Sequence, residues 1–179
     1  WYVKRNMLFI LADIGGEAVL PHMRSYSQHE NPKVSLEAAK YLLKIKDSYG
    51  IAALRRYLQS ESAELVEKAV ALAGTYKSKE VVHDLTKMLK KMDVGWADFY
   101  EKIPVIKALG QIGDVRVLNI LRELLSIKSF LFKDAVEKLR EEIYMTLKNY
   151  PYEDVKDILE AGAKSKNEAI RKESLKLLR

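Results

Sequence analysis

Residues 34 to 45 read Val34 Ser35 Leu36 Glu37 Ala38 Ala39 Lys40 Tyr41 Leu42 Leu43 Lys44 Ile45, in which Ala38, Leu42 and Ile45 set an apolar frame at helical spacing. The frame recurs. It is found at Met7, Leu11, Ile14 before Gly15, at Ala69, Ala73, Tyr76, and at Val105, Leu109, Ile112 before Gly113. It returns at Ile143, Leu147, Tyr150 and at Ser174, Leu178. The anchors 11, 42, 73, 109, 147 and 178 are spaced by 31, 31, 36, 38 and 31 residues. A period in that range marks an array of stacked supersecondary repeats. No single repeat of this size buries its own apolar face, so neighbours stack and build an extended surface for holding something.

Each period reads as two helices joined by a tight turn. In the first, Val3, Met7, Leu8, Leu11 and Ile14 give one side of a helix its apolar character. Gly15 and Gly16 then end it, because glycine enters the left-handed conformation at a helix C-terminus at low cost. A second helix is expected from about Glu17 to Ser27. The next repeat is read as Val34 to Ile45, a turn at Lys46 to Gly50, and Ile51 to Leu58. The third runs Ala63 to Tyr76, a turn at Lys77 to Lys79, and Glu80 to Lys91. Asn31 Pro32 and Ser60 Glu61 Ser62 lie between repeats, where proline or serine opens a helix. Two expansions, Met92 to Pro104 and Ile127 to Phe132, lengthen the fourth and fifth repeats. Insertions in such arrays fall in loops on one face and often add binding specificity.

The 179-residue chain is large enough to bury about 70% of its unfolded surface without staples. It has no cysteine, which excludes disulfides, thiolate metal sites and cysteine nucleophiles, and favours a reducing, cytoplasmic setting. No apolar run approaches the roughly 18 residues of a membrane span, and Trp1 Tyr2 Val3 Lys4 Arg5 does not resemble a signal peptide. Neither end carries the polar capping repeat that usually closes an array, so a piece of a longer protein is expected, with more chain at least on the N-terminal side.

The string at 34 to 45, together with Val105 Ile106 Lys107 Ala108 Leu109 Gly110 Gln111 Ile112 Gly113 Asp114, resembles the first helix and turn of HEAT repeats. With Ala18 Val19 Leu20 Pro21 in the second helix, it is most similar to the bacterial phycobilisome-lyase-like HEAT group. The resemblance covers the whole chain. It implies an all-α fold, a right-handed α-α superhelix (HEAT-repeat solenoid) of about five helix pairs plus a final helix, with no β-sheet. One domain over 1–179 is expected, with repeats at about 1–31, 32–62, 63–95, 96–129, 130–166 and 167–179. Lys46 and Lys77 stand where the group usually has the turn glycine. Many adaptors and few enzymes belong to the group, so the resemblance specifies fold more than function.

Chemistry is sparse. His22, His29 and His83 sit singly on three repeats, without the i, i+4 pairing of a helical metal site, so no metal or cofactor is expected. HEAT enzymes of the deoxyhypusine hydroxylase kind hold iron with His-Glu pairs opening first helices, where this chain has Leu36 Glu37. No serine lies in a nucleophile elbow, and Gly15 Gly16 follows a helix, where a dinucleotide loop follows a strand. Trp96 with Asp98 supplies the residue types that HEAT-like DNA glycosylases use; that and lyase activity are the remote enzymatic readings.

Aligned second helices give columns. Met23, Leu54, Leu85, Leu121 and Leu159 take a buried position, and the residues after them form a partly basic and aromatic ladder: Arg24, Tyr26, Arg55, Arg56, Tyr57, Lys87 and Arg122. In HEAT arrays the second helices line the concave face. The net charge is +6, and residues 1 to 60 hold nine Lys and Arg against five Asp and Glu. Arginine and tyrosine dominate binding hot spots, and the insertion aromatics Trp96, Phe99 and Tyr100 are further candidates; equally, arginine stems cover apolar surface with solvated heads. The leading reading is a non-catalytic protein-interaction scaffold for an acidic protein or peptide, or for another domain of its own chain. Its rival is a nucleic-acid module with arginines on phosphates and aromatics on bases. The register itself is testable: Leu42→Ala is expected to cost about 2 to 5 kcal/mol in denaturant unfolding, and an unchanged midpoint would refute it.

Overall fold

Short polar side chains open three of the helices and a backbone reversal follows four of them. In the computed structural model, residues 1–91 and 96–179 are described, with side chains for 1–90 and 100–179. Among these residues there are eleven α-helices and no strand. They follow as α1 (Tyr2–Ile14), α2 (Leu20–Tyr26), α3 (Pro32–Lys44), α4 (Ser48–Leu58), α5 (Ala63–Thr75), α6 (Val82–Lys91), α7 (Trp96–Ile112), α8 (Leu118–Ser126), α9 (Lys133–Thr146), α10 (Tyr152–Gly162) and α11 (Glu168–Leu177). Among the described residues the fold is all-α. Asn31, Asp47 and Asn167 cap α3, α4 and α11 by accepting the backbone N–H groups of Lys33, Tyr49 and Ala169. A 3-10 turn leads into α2, α6 and α8.

The chain forms two compact bodies, Trp1–Val81 and Val82–Arg179. In the N-terminal body α1 and α2 pack on α3, α3 on α4, and α4 on α5. Its core joins Leu8, Val19 and Met23 of the first repeat to Val34, Ala38, Tyr41 and Leu42 of the second. In the C-terminal body α7 packs on α9 and α9 on α11, around buried Ile106, Leu109, Leu139, Ile143 and Leu147. Gly110 permits the α7–α9 approach, since a Cβ there would lie 2.4 Å from the Thr146 side chain.

Two expectations are corrected. The helix expected from Ile51 begins at Ser48, because the Asp47 carboxylate caps it a turn earlier. In α1 only Leu8 is buried: Met7 is exposed where its equivalent Ala38 in α3 is buried against the preceding pair, and Ile14 is exposed as its equivalent Ile45 is.

Four of the reversals between helices use one equivalent position, while the turn from α9 to α10 places Pro151 there at φ −58°. Gly15, Lys46, Lys77 and Gly113 have φ of 69°, 58°, 50° and 67°. The lysines therefore adopt the left-handed conformation the turn needs despite the steric cost to an L-residue. Lys77→Gly is expected to raise stability by up to about 1 kcal/mol, the relieved strain outweighing the larger unfolded-state entropy. Gly113→Ala is expected to lower it by about 1 to 3 kcal/mol, because its Cβ would also meet the Asn149 carbonyl oxygen at 2.7 Å; paired thermal melts check the opposite signs.

Candidate functional site

Met23, Leu54, Leu85, Leu121 and Leu159 are all buried, so the second-helix column holds and the residues next to it stand at the flank. Arginines of this ladder reach neighbouring repeats. Arg24 donates from Nη2 and Nε to Asp47 Oδ2 at 2.7 and 3.1 Å, engaging the carboxylate that caps α4, and its Cζ lies 5.4 Å from the centre of the Tyr49 ring. Arg55 donates to the Glu80 carbonyl at 2.7 Å, in the 3-10 turn before α6. Arg56 reaches the other way, to the Ser27 carbonyl at 2.8 Å. Tyr57 is buried with its hydroxyl against Ser35 Oγ, a core position, while half-buried Tyr26 stacks on His29 at 6.2 Å.

In the C-terminal body Arg122 repeats the pattern of Arg24. Its Nε and Nη2 grip both oxygens of Asp157 at 3.2 and 2.9 Å, and Nη2 also donates to the Asp154 carbonyl at 2.8 Å. Lys87 is exposed on α6. Tyr100 is half-buried, with Lys138 Nζ 5.6 Å from its ring centre. The side chains of Trp96 and Phe99 lie outside the described residues.

Beside Arg122 lies a recess of about 410 Å³, edged by the Arg122–Asp157 and Arg140–Glu137 pairs over apolar Leu125, Ile158 and Ile170. Arg140 binds Glu137 Oε1 at 2.6 Å and the Ile127 carbonyl at 2.7 Å, tying the second expansion to α9. Its Nε is buried without a hydrogen-bond partner among the described residues. Asn167, which caps α11, also donates to Glu137 and Glu141 at 3.1 and 2.8 Å. Sequence reasoning missed Asp157, Arg140 and Glu137; only Asp47, a carboxylate directly before a helix, carried a local signal.

The arginines set the local electrostatics. The Arg24 hydrogen bond holds the Asp47 carboxyl below the ordinary carboxylate range against the opposing effect of burial, with help from the Tyr49 N–H. Arg122 does the same for Asp157. A carboxylate with a depressed folded-state pKa contributes stability that is complete above its unfolded value, near 3.9, and is lost as pH falls through the folded value. Asp47→Asn is therefore expected to lower the thermal midpoint at neutral pH and to flatten its fall below about pH 4. Arg24→Ala, Arg55→Ala and Arg56→Ala together should also lower the neutral midpoint; an unchanged midpoint would show that these contacts do not hold the repeats together.

Among the described residues no group of three or more His, Cys, Asp or Glu is placed to hold a metal ion, and no helix is long and apolar enough to cross a membrane. A family model for HEAT repeats matches residues 1–73, and one for the PBS lyase HEAT-like repeat matches residues 105–126. No curated protein matches the chain. HEAT repeats generally act as protein-interaction scaffolds and are typically non-catalytic. With its helix pairs, left-handed turns and repeat spacing, the chain is a HEAT-repeat protein resembling the PBS lyase HEAT-like group.

Proposed function

We propose that this chain is a non-catalytic, cytoplasmic interaction scaffold that holds an acidic protein or peptide segment on the faces of its second helices. The observation that carries the reading is the recess beside Arg122, where an apolar floor is bordered by two arginines and two carboxylates. An incoming carboxylate can take the Arg122 fork from Asp157, whose side chain is 65% exposed and can swing into solvent without a burial penalty. Leu125 and Ile158 then offer apolar contact to a neighbouring aliphatic side chain of the partner. In the N-terminal body Arg24, Arg55 and Arg56 with Tyr26 form a separate patch, and Lys87 adds a cation in the C-terminal body. Tyr57 supports its patch from beneath. Tyr100, half-buried, is a further candidate.

Anisotropy titrations at two salt concentrations test this, using a fluorescein-labelled helical peptide of alternating glutamate and leucine pairs, and labelled single-stranded and duplex oligonucleotides. The peptide is expected to bind, and Arg122→Ala to weaken it about tenfold. Oligonucleotide binding with a logarithmic salt slope near 0.9 per neutralised phosphate on duplex DNA would replace the scaffold reading with that of a nucleic-acid module.

A further inference from the structure

Three of the joints between repeats, residues 27–31, 59–62 and 163–167, contain no Leu, Ile, Val, Met, Phe, Trp or Tyr. The joint between α8 and α9 is different. It reads Ile127 Lys128 Ser129 Phe130 Leu131 Phe132, and its middle pair, Phe130 and Leu131, are 97 and 83% exposed, the highest values of any large apolar side chain among the described residues. Adjacent apolar side chains held in water in this way mark an interaction site.

The base of the loop is fixed, so its tip is held out. Arg140 donates to the Ile127 carbonyl at 2.7 Å, and the Phe132 N–H donates to Ser129 Oγ at 3.1 Å, which closes the turn beneath the tip. Ile127 and Phe132, the apolar residues at either end, are half-buried. Lys128 and Lys133 bracket the tip and are both exposed. Together with Arg140 they line a recess of about 530 Å³ beside Phe130. Of the two acids in the first two turns of α9, Asp134 stands where the helix dipole favours it, and Glu137 is bound by Arg140 at 2.6 Å.

We propose that the Phe130–Leu131 tip inserts into the surface of an anionic lipid bilayer, with Lys128 and Lys133 against the negatively charged headgroups. A convex apolar tip finds no complementary pocket on its own chain, and a fluid acyl boundary accepts such a tip without one. Lysines on both sides of the tip add electrostatic attraction to an anionic leaflet. The contact lies on the membrane and calls for no membrane-crossing helix. It goes beyond the scaffold reading and rests on none of the Arg122 contacts.

Vesicle co-sedimentation tests this with the whole chain, using vesicles of 30% phosphatidylserine in phosphatidylcholine and vesicles of phosphatidylcholine alone. Half-binding to the anionic vesicles is expected at roughly 1 to 10 mM lipid, weaker than the roughly 0.1 mM of a single myristoyl chain, with little binding to the neutral ones. Phe130→Ser with Leu131→Ser should weaken binding at least about tenfold, and Lys128→Ala and Lys133→Ala about fivefold each. These side chains are exposed, and unchanged circular-dichroism melts confirm that the variants fold. Depth is read separately. The chain has no cysteine, so Leu131→Cys takes a single environment-sensitive nitrobenzoxadiazole label, which should brighten and shift to the blue on anionic vesicles. The same label on Lys148→Cys, an exposed position beyond the far end of α9, should not change. Absence of binding at 10 mM lipid overturns the proposal and leaves the tip to an apolar groove on a partner protein. Binding that survives the serine pair, or a Lys148→Cys label that responds as strongly as the one at the tip, overturns it in favour of adsorption through the net positive charge.

Discussion

The left-handed residue at Gly15, Lys46, Lys77 and Gly113 is the constraint on which four of the interhelical turns depend. A helix followed by one residue near φ of 60° turns back within a few positions, so the second helix starts beside the end of the first and both present apolar sides to the same neighbour. The residue after the turn then falls at the start of the second helix. Asp47 and Asp114 occupy that place and accept N–H groups that would otherwise lack partners. Once a carboxylate stands there, an arginine one repeat away has an acceptor, which is how Arg24 comes to rest on Asp47. Turn, cap and cross-repeat bond thus follow from one backbone angle.

Polar and apolar contacts between repeats divide the work. Buried leucines and small residues supply most of the stacking energy, at about 25 cal/mol per Å² of apolar area removed from water. The arginine contacts are partly solvated, and exposed ion pairs of this kind contribute about 0 to 1 kcal/mol each. Their larger contribution is positional. Arg55 and Arg56 are adjacent, yet one bonds to the repeat after α4 and the other to the repeat before it. Sliding α4 along either neighbour would therefore stretch at least one of these bonds.

Much of the fold was legible in the sequence because helical arrays write their architecture locally. Apolar spacing located the helices, and the recurrence of the frame at Ala38, Ala69 and Val105 gave the repeat. Lys46 and Lys77 were identifiable as occupants of a glycine position before any angle was known. Met7 misled for a physical reason: periodicity reveals which side of a helix is apolar, and burial depends on what covers that side. The candidate site was less legible. The partners of Arg24, Arg55 and Arg122 lie 23, 25 and 32 to 35 residues away, beyond any local pattern. The Arg140–Glu137 edge of the recess depends on how the second expansion folds back onto α9.

The 31-residue spacing of the first three anchors and of the last two has an evolutionary consequence. A segment of one period carries a complete turn, a complete cap and both halves of the stacking contact, so a duplicated copy arrives with its own neighbours specified. The longer periods have kept their buried anchors, Leu109 and Leu147, and carry their added residues as extra length in α7 and as the stretch before α9. Genes for such arrays can lengthen by whole repeats and diversify in their joints while the core repeats stay interchangeable.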